Sequence, residues 1–123
     1  MTFLKIGAAV TLDNIETIFN WLCKQDRPIE IQDFTPPNLL SGDLSGLISR
    51  YQEKLQSHKG PRGLHGPFFS LDLGNLEMAF QKLITARFLD GLELCEHLNA
   101  QYMVIHSLFD DWMKLNPWQY PFV

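Results

Sequence analysis

An α/β fold with a parallel sheet is predicted by three features of the 123-residue sequence. Four short apolar runs alternate with stretches whose apolar residues recur at helical spacing. Each connection between successive runs contains such a stretch, as a crossover between parallel strands requires. Pro28, the Pro36-Pro37 pair and Gly60-Pro61 fall at the boundaries between stretches. The resulting order is β–α–β–α–β–α–β, a single domain over residues 1–123, and an apolar content of 46% is enough to build its core.

Residues 3–10, FLKIGAAV, suit a buried first strand. Asp13 followed by Glu16 is a capping signal for the first helix. Ile15, Ile18, Phe19, Leu22 and Cys23 then fall on one helical face, and Pro28 closes the segment. IEIQDF, residues 29–34, alternates apolar and polar side chains as a second strand. After a turn at Pro36 and Pro37, Leu44, Leu47, Ile48, Tyr51 and Leu55 predict a second helix, ended by Gly60 and Pro61. RGLHGPF, residues 62–68, takes the place of a third strand end. Asn75 is the expected cap of a long third helix reaching Leu98, with Phe80, Ile84, Phe88, Cys95 and Leu98 among its apolar positions. Asn99 suits the left-handed residue after that helix, and QYMVIH, residues 101–106, is the fourth strand. Residues 107–123 carry Trp112, Trp118, Tyr120 and Phe122 with little periodicity and stop before a fourth helix develops. That tail either lines a substrate pocket or belongs against a packing partner.

Composition excludes some functions. Fourteen acidic against ten basic residues give a net charge of −4, and no Lys/Arg cluster stands out, so nucleic acid is not an expected partner. Cys23 and Cys95 lie in helical patterns without CxxC spacing and read as reduced, buried residues. With no leader pattern and no apolar run of the ~18 residues a membrane span needs, a cytoplasmic protein is expected.

The third and fourth strand segments each finish near a histidine, His65 and His106. Parallel α/β folds bind ligands at the carboxyl ends of their strands. Two neutral imidazoles on one rim can share a divalent ion such as zinc, manganese or iron. The alternative is that each bonds to nearby backbone. Gly66 leaves room for a ligand beside the backbone and Pro67 fixes the direction in which the loop departs. Two histidines do not complete a zinc site. Glu30, with Gln32 on the same side by alternation, is the nearest carboxylate, unless both face solvent at a sheet edge. Lys5 reads as a solvated edge residue or an anion contact. Asp110 and Asp111 are near enough in sequence to reach the rim or form a solvated loop pair. His58 and His97, late in their helices, suit structural roles.

GLHGPF, the Ala-, Leu- and Glu-rich helix after it, and LCEHLNAQYMVIHS together resemble the first half of the xylose-isomerase-like TIM barrels. That superfamily includes sugar-phosphate isomerases and epimerases and the apurinic-site endonucleases. Its members carry a histidine closely followed by proline after the third strand, a Leu-Gly-Ala-like turn, and a fourth strand closing on histidine. Here Asn99-Ala100 replaces Gly-Ala, and PIEIQDF is similar to the family's second strand, with Glu30 at its glutamate. The resemblance spans about residues 3–107. It implies half of a (β/α)8 barrel, with His65 and His106 as ligands of a divalent metal (Zn or Mn) and Glu30 and Gln32 as substrate-binding residues. The implied activity is metal-assisted proton transfer on a small sugar or sugar phosphate, as in the isomerases and epimerases. A metal-dependent phosphodiesterase of the endonuclease kind uses the same histidines but calls for a basic groove. The family's other ligands and bases come from strands five to eight. A whole barrel needs ~250 residues. The chain is therefore expected to be the N-terminal part of a longer protein, a half completed by a second copy, or an incomplete barrel serving as a non-catalytic binding or assembly module.

Overall fold

The computed structural model describes residues 4–106. Its strands are β1 (Ala8–Val10), β2 (Ile29–Ile31), β3 (Arg62–His65) and β4 (Tyr102–Val104). Its helices are α1 (Ile15–Lys24), α2 (Ser45–Lys54) and α3 (Met78–Leu98), with a 3₁₀ turn at Pro37–Ser41. The strands form one four-stranded sheet in the order β1-β2-β3-β4, parallel throughout, so the predicted alternation is observed. Because each crossover steps to the adjacent strand in the same direction and with the same hand, the helices gather on one face. No helix among the described residues is long and apolar enough to cross a membrane.

Several boundaries differ from the expected ones, each for a local reason. β1 begins at Ala8, whose N–H donates to the Pro28 carbonyl at 3.1 Å; before it, Leu4 and Ile6 are 97% and 70% exposed. α1 is capped at Asn14 rather than Asp13. The Asn14 side chain instead accepts from the Thr11 N–H at 2.9 Å, closing the turn on itself. The helix stops at Lys24, before Pro28, where Asp26 turns left-handed with φ 47°. α2 likewise ends well before Gly60 and Pro61, which belong to the turn into β3. α3 starts at Met78, because Asn75 accepts from the Glu77 N–H at 2.9 Å and forms a turn there instead of the cap. Asn99 adopts the expected left-handed conformation, φ 52°. The second and fourth strands are shorter than the runs that announced them.

The core lies between the sheet and the helices. Val10, Ile29, Ile31 and Leu64 point into it from the strands and meet Ile15, Leu22, Tyr51, Leu55, Leu94 and Leu98 from the helices. Arg62 lies on the same side, and its guanidinium donates to the Leu55, His58 and Leu98 carbonyls at 2.6, 2.7 and 3.3 Å. It thereby ties the ends of α2 and α3 to the start of β3. Phe80, expected among the apolar positions of α3, is 53% exposed, since the first turns of that long helix overhang the short strands.

One polar pair is built into this layer. Fully buried Tyr51 donates to Asp33 Oδ2 at 2.6 Å, and the same oxygen accepts the Leu12 N–H at 2.8 Å. Burial, and next the Asp33 carboxylate, push the phenol well above its usual range. Tyr51→Phe is expected to cost about 1.5–3 kcal/mol in urea denaturation, the net worth of a hydrogen bond to a charged acceptor. A raised phenol pKa contributes stability that is complete below the ordinary tyrosine value of ~10 and is lost as pH rises above it. Wild type should therefore lose stability faster than Tyr51→Phe in alkali; parallel pH curves would show that Tyr51 adds only packing.

Candidate functional site

Alternation along the strands decides what faces away from the helices. Ala9, Glu30, Gly63 and Tyr102 share register positions across the sheet, and His65 and Val104 follow two residues later on the same face. No helix covers this face among the described residues. Within it, Glu30 and His65 sit diagonally on neighbouring strands, close enough for long side chains to meet.

They do meet. His65 Nδ1–H donates to Glu30 Oε1 at 2.6 Å, with the two side chains 13% and 28% exposed. Gln32, next on that face of the chain, donates its amide to the same oxygen at 3.4 Å. His106 leaves the end of β4 so that its Nε2 lies 2.8 Å from His65 Nε2. The carboxylate at Nδ1 assigns the His65 proton to that nitrogen, so Nε2 carries a lone pair that accepts from His106. The four side chains therefore form one polar line at the carboxyl rim: Gln32, Glu30, His65, His106. Glu30 lies on β2, an internal strand, and Gln32 just beyond its end, so both sit on the uncovered face rather than at a sheet edge.

Phe68 closes one side of this line. Its ring stacks on His106 with centroids 4.3 Å apart and planes at 14°, and it meets His65 edge-on at 5.3 Å. Phe69 stacks on Phe68 in turn, at 4.2 Å. Sequence reasoning missed Phe68, although its place immediately after the His-Gly-Pro turn was the available signal. Gly66 has a different role from the one expected. A Cβ there would lie 2.9 Å from Met103 Sδ and 3.0 Å from the Val104 carbonyl, so the glycine admits β4 rather than a ligand. Its N–H donates to that carbonyl at 2.9 Å. Deeper on the open face, the Tyr102 ring covers Gly63, and a groove of about 260 Å³ runs between Ala9, Glu30 and Tyr102.

The remaining candidates lie elsewhere. Lys5 is exposed ahead of β1. His58 is 3% exposed beyond the end of α2, near the amino ends of the strands, with Nε2 bonded to the Arg27 carbonyl at 2.8 Å. His97 is exposed in the last turn of α3, with Glu93 at 3.8 Å. Cys23 and Cys95 are free thiols, and burial pushes the Cys95 thiol up. Asp110, Asp111 and the aromatic residues of the tail lie outside the described residues.

The line can act in two ways. With Glu30 holding its far side, His65 can take up a proton at Nε2 or pass one to His106. Alternatively, both Nε2 lone pairs can be given to a cation, in the carboxylate–histidine–metal arrangement that orients metal-binding imidazoles. The donors fit a metal in part: two imidazoles converge, while Glu30 is occupied on the opposite ring nitrogen. Among the described residues no group of three or more His, Cys, Asp or Glu is placed to hold a metal ion. Any further ligand must come from outside them.

No protein-family profile and no curated protein matches the chain. A solved structure does: the TTHB071 protein from Thermus thermophilus, soaked with ZnCl2. The two superpose with a TM-score of 0.63 at 26% identity, over 87% of this chain and 41% of that one. This chain thus spans about two-fifths of the length of that relative, and the likeness agrees with the α/β architecture.

Proposed function

We propose that the chain is half of a (β/α)8 barrel of the xylose-isomerase-like kind, whose carboxyl rim serves metal-assisted proton transfer on a small sugar or sugar phosphate. The observation that carries this reading is the opposition of His65 Nε2 and His106 Nε2, with Glu30 locking the His65 ring. The two Nε2 atoms would hold a zinc or manganese ion, which would polarise a carbonyl or hydroxyl pair of the substrate. Glu30 keeps His65 in the tautomer that leaves Nε2 free. Gln32 and Glu30 stand on the open face within reach of sugar hydroxyls, and Phe68 keeps water off one side of the imidazoles. A sequential parallel sheet with one face bare among the described residues supports the half-barrel reading, as does a zinc-soaked relative of which the match covers 41%. A reducing cytoplasm accords with the two free thiols.

Native mass spectrometry of the chain after exposure to zinc and manganese tests the metal. Deuterium uptake from ²H₂O by aldose and ketose phosphates, at the carbon beside the carbonyl, tests the chemistry. Stoichiometric metal that His65→Ala and His106→Ala release, together with deuterium uptake, is the expected result. Failure to hold metal sinks the site. A second reading, a binding or assembly module without turnover, is favoured by the convergence of only two donors among the described residues; metal retention without deuterium uptake would select it.

A further inference from the structure

All-parallel sheets are stable when both faces are covered, yet here the face bearing Ala9, Glu30, Gly63, His65 and Tyr102 has no cover among the described residues. Among the described residues both edges of the sheet are open as well. On β1, Ala8 N–H donates to the Pro28 carbonyl and the Val10 carbonyl accepts from Gln32, at 3.1 and 2.9 Å. Alternation therefore turns the Ala9 N–H and C=O outward. On β4, the Val104 carbonyl accepts from Gly66, which turns the backbone groups of Met103 and Ile105 outward. None of these outward groups has a strand partner among the described residues. Apolar side chains flank both openings: Leu4 and Ile6 beside β1, 97% and 70% exposed, and Tyr102 and Ile105 beside β4, 45% and 46% exposed.

We propose that a second copy of this chain closes the sheet, β4 of each copy pairing in parallel with β1 of the other. This rests on the half-barrel reading above. The occupant follows from strand polarity. The order β1-β2-β3-β4 runs one way with every strand parallel, so the strand that would continue it beyond β4 must be parallel and open on its far side. β1 of a second copy is such a strand. A two-fold axis along the strands makes two identical junctions and leaves no open edge. The closed sheet then has eight strands, the number at which side chains just fill a barrel interior. The bare faces are suited to that interior, because small Ala9 and Gly63 alternate across the sheet with larger Glu30 and Tyr102. Closure would bring both copies' histidine pairs to one rim, where each copy could supply the ligands the other lacks.

The test is the mass of the full chain in solution, by light scattering and sedimentation equilibrium in metal-free buffer at micromolar concentration. A mass of twice 14.2 kDa is expected. Ala9→Pro removes only the outward N–H of β1, and Ile105→Lys puts a charge on the opposite edge. Each variant should give a monomer with an unchanged far-UV circular dichroism spectrum. A folded wild-type monomer overturns the proposal and points to another chain segment or another protein as the cover. A dimer that survives Ile105→Lys also overturns it, since the contact would then lie on another surface; this variant decides alone if Ala9→Pro does not fold. Because no metal is present, failure here leaves the metal test above untouched.

Discussion

At the proposed metal site, His65→Ala and His106→Ala are each expected to lower zinc affinity by more than about 100-fold, whereas Glu30→Gln should lower it by about 10–100-fold. The ranking follows from where each group touches the line. Either alanine removes one of two converging nitrogens and leaves a single imidazole on the rim. Glu30→Gln leaves both nitrogens in place but weakens the hold on His65 Nδ1–H, which now donates a 2.6 Å charge-assisted bond to the carboxylate. A glutamine can also donate to that nitrogen and so favour the wrong tautomer. Gln32→Ala should matter least, since its amide reaches Glu30 only at 3.4 Å. Competition with a chromophoric chelator would measure all four variants in one format. If Glu30→Gln matched wild type, the carboxylate would be a substrate contact and not the orienting group. If either alanine variant kept wild-type affinity, the metal would be bound elsewhere.

Most of this arrangement was legible in the sequence because two different periods were. Helical spacing in 15–23 and 44–55, against short apolar runs between them, was enough for element order and for a parallel sheet. Boundaries were harder, because apolar character marks what is buried only when something lies beside it. Leu4 and Ile6 look like strand residues, yet nothing among the described residues packs on them. The histidines were legible as strand-end residues, but the link to Glu30 needed the register. Glu30 pairs with Gly63, two positions before His65, and a one-residue slip would turn it into the helix-facing layer. No sequence pattern carries that offset. Asp33 and Phe68 were missed for a related reason: each acquires its role from a loop that brings it against a residue distant in sequence, Tyr51 in one case and His106 in the other.

Gly60→Ala is expected to destabilise the fold by about 2–4 kcal/mol, near the upper end for overpacking with a lost buried hydrogen bond. Gly60 is buried where the turn into β3 crosses the turn into β2, and a Cβ there would press on the Arg27 carbonyl oxygen and lie 2.7 Å from both the carbon and the oxygen of the Asp26 carbonyl. These are backbone atoms, so no side-chain rotation relieves the clash. The Arg27 carbonyl is also the partner of His58 Nε2, and His58 Nδ1 is buried without a partner among the described residues. Pushing the two turns apart would leave the whole imidazole unsatisfied. Gly46→Ala is the matching control: it lies in the first turn of α2, nothing stands within 4 Å of its Cβ, and the change should gain up to about 1 kcal/mol from helix propensity. Urea denaturation of both variants, with equal m-values, would measure the difference. A cost below about 0.5 kcal/mol for Gly60→Ala would mean that the two turns separate freely. The position also bears on the distant rim. The Ile29 N–H bonds the Pro61 carbonyl at 3.0 Å beside Gly60, where β2 and β3 enter register. A shift there slides Glu30 along β3 away from His65, so Gly60→Ala should also weaken any zinc binding at the proposed site in the folded protein, although it touches no residue of that site.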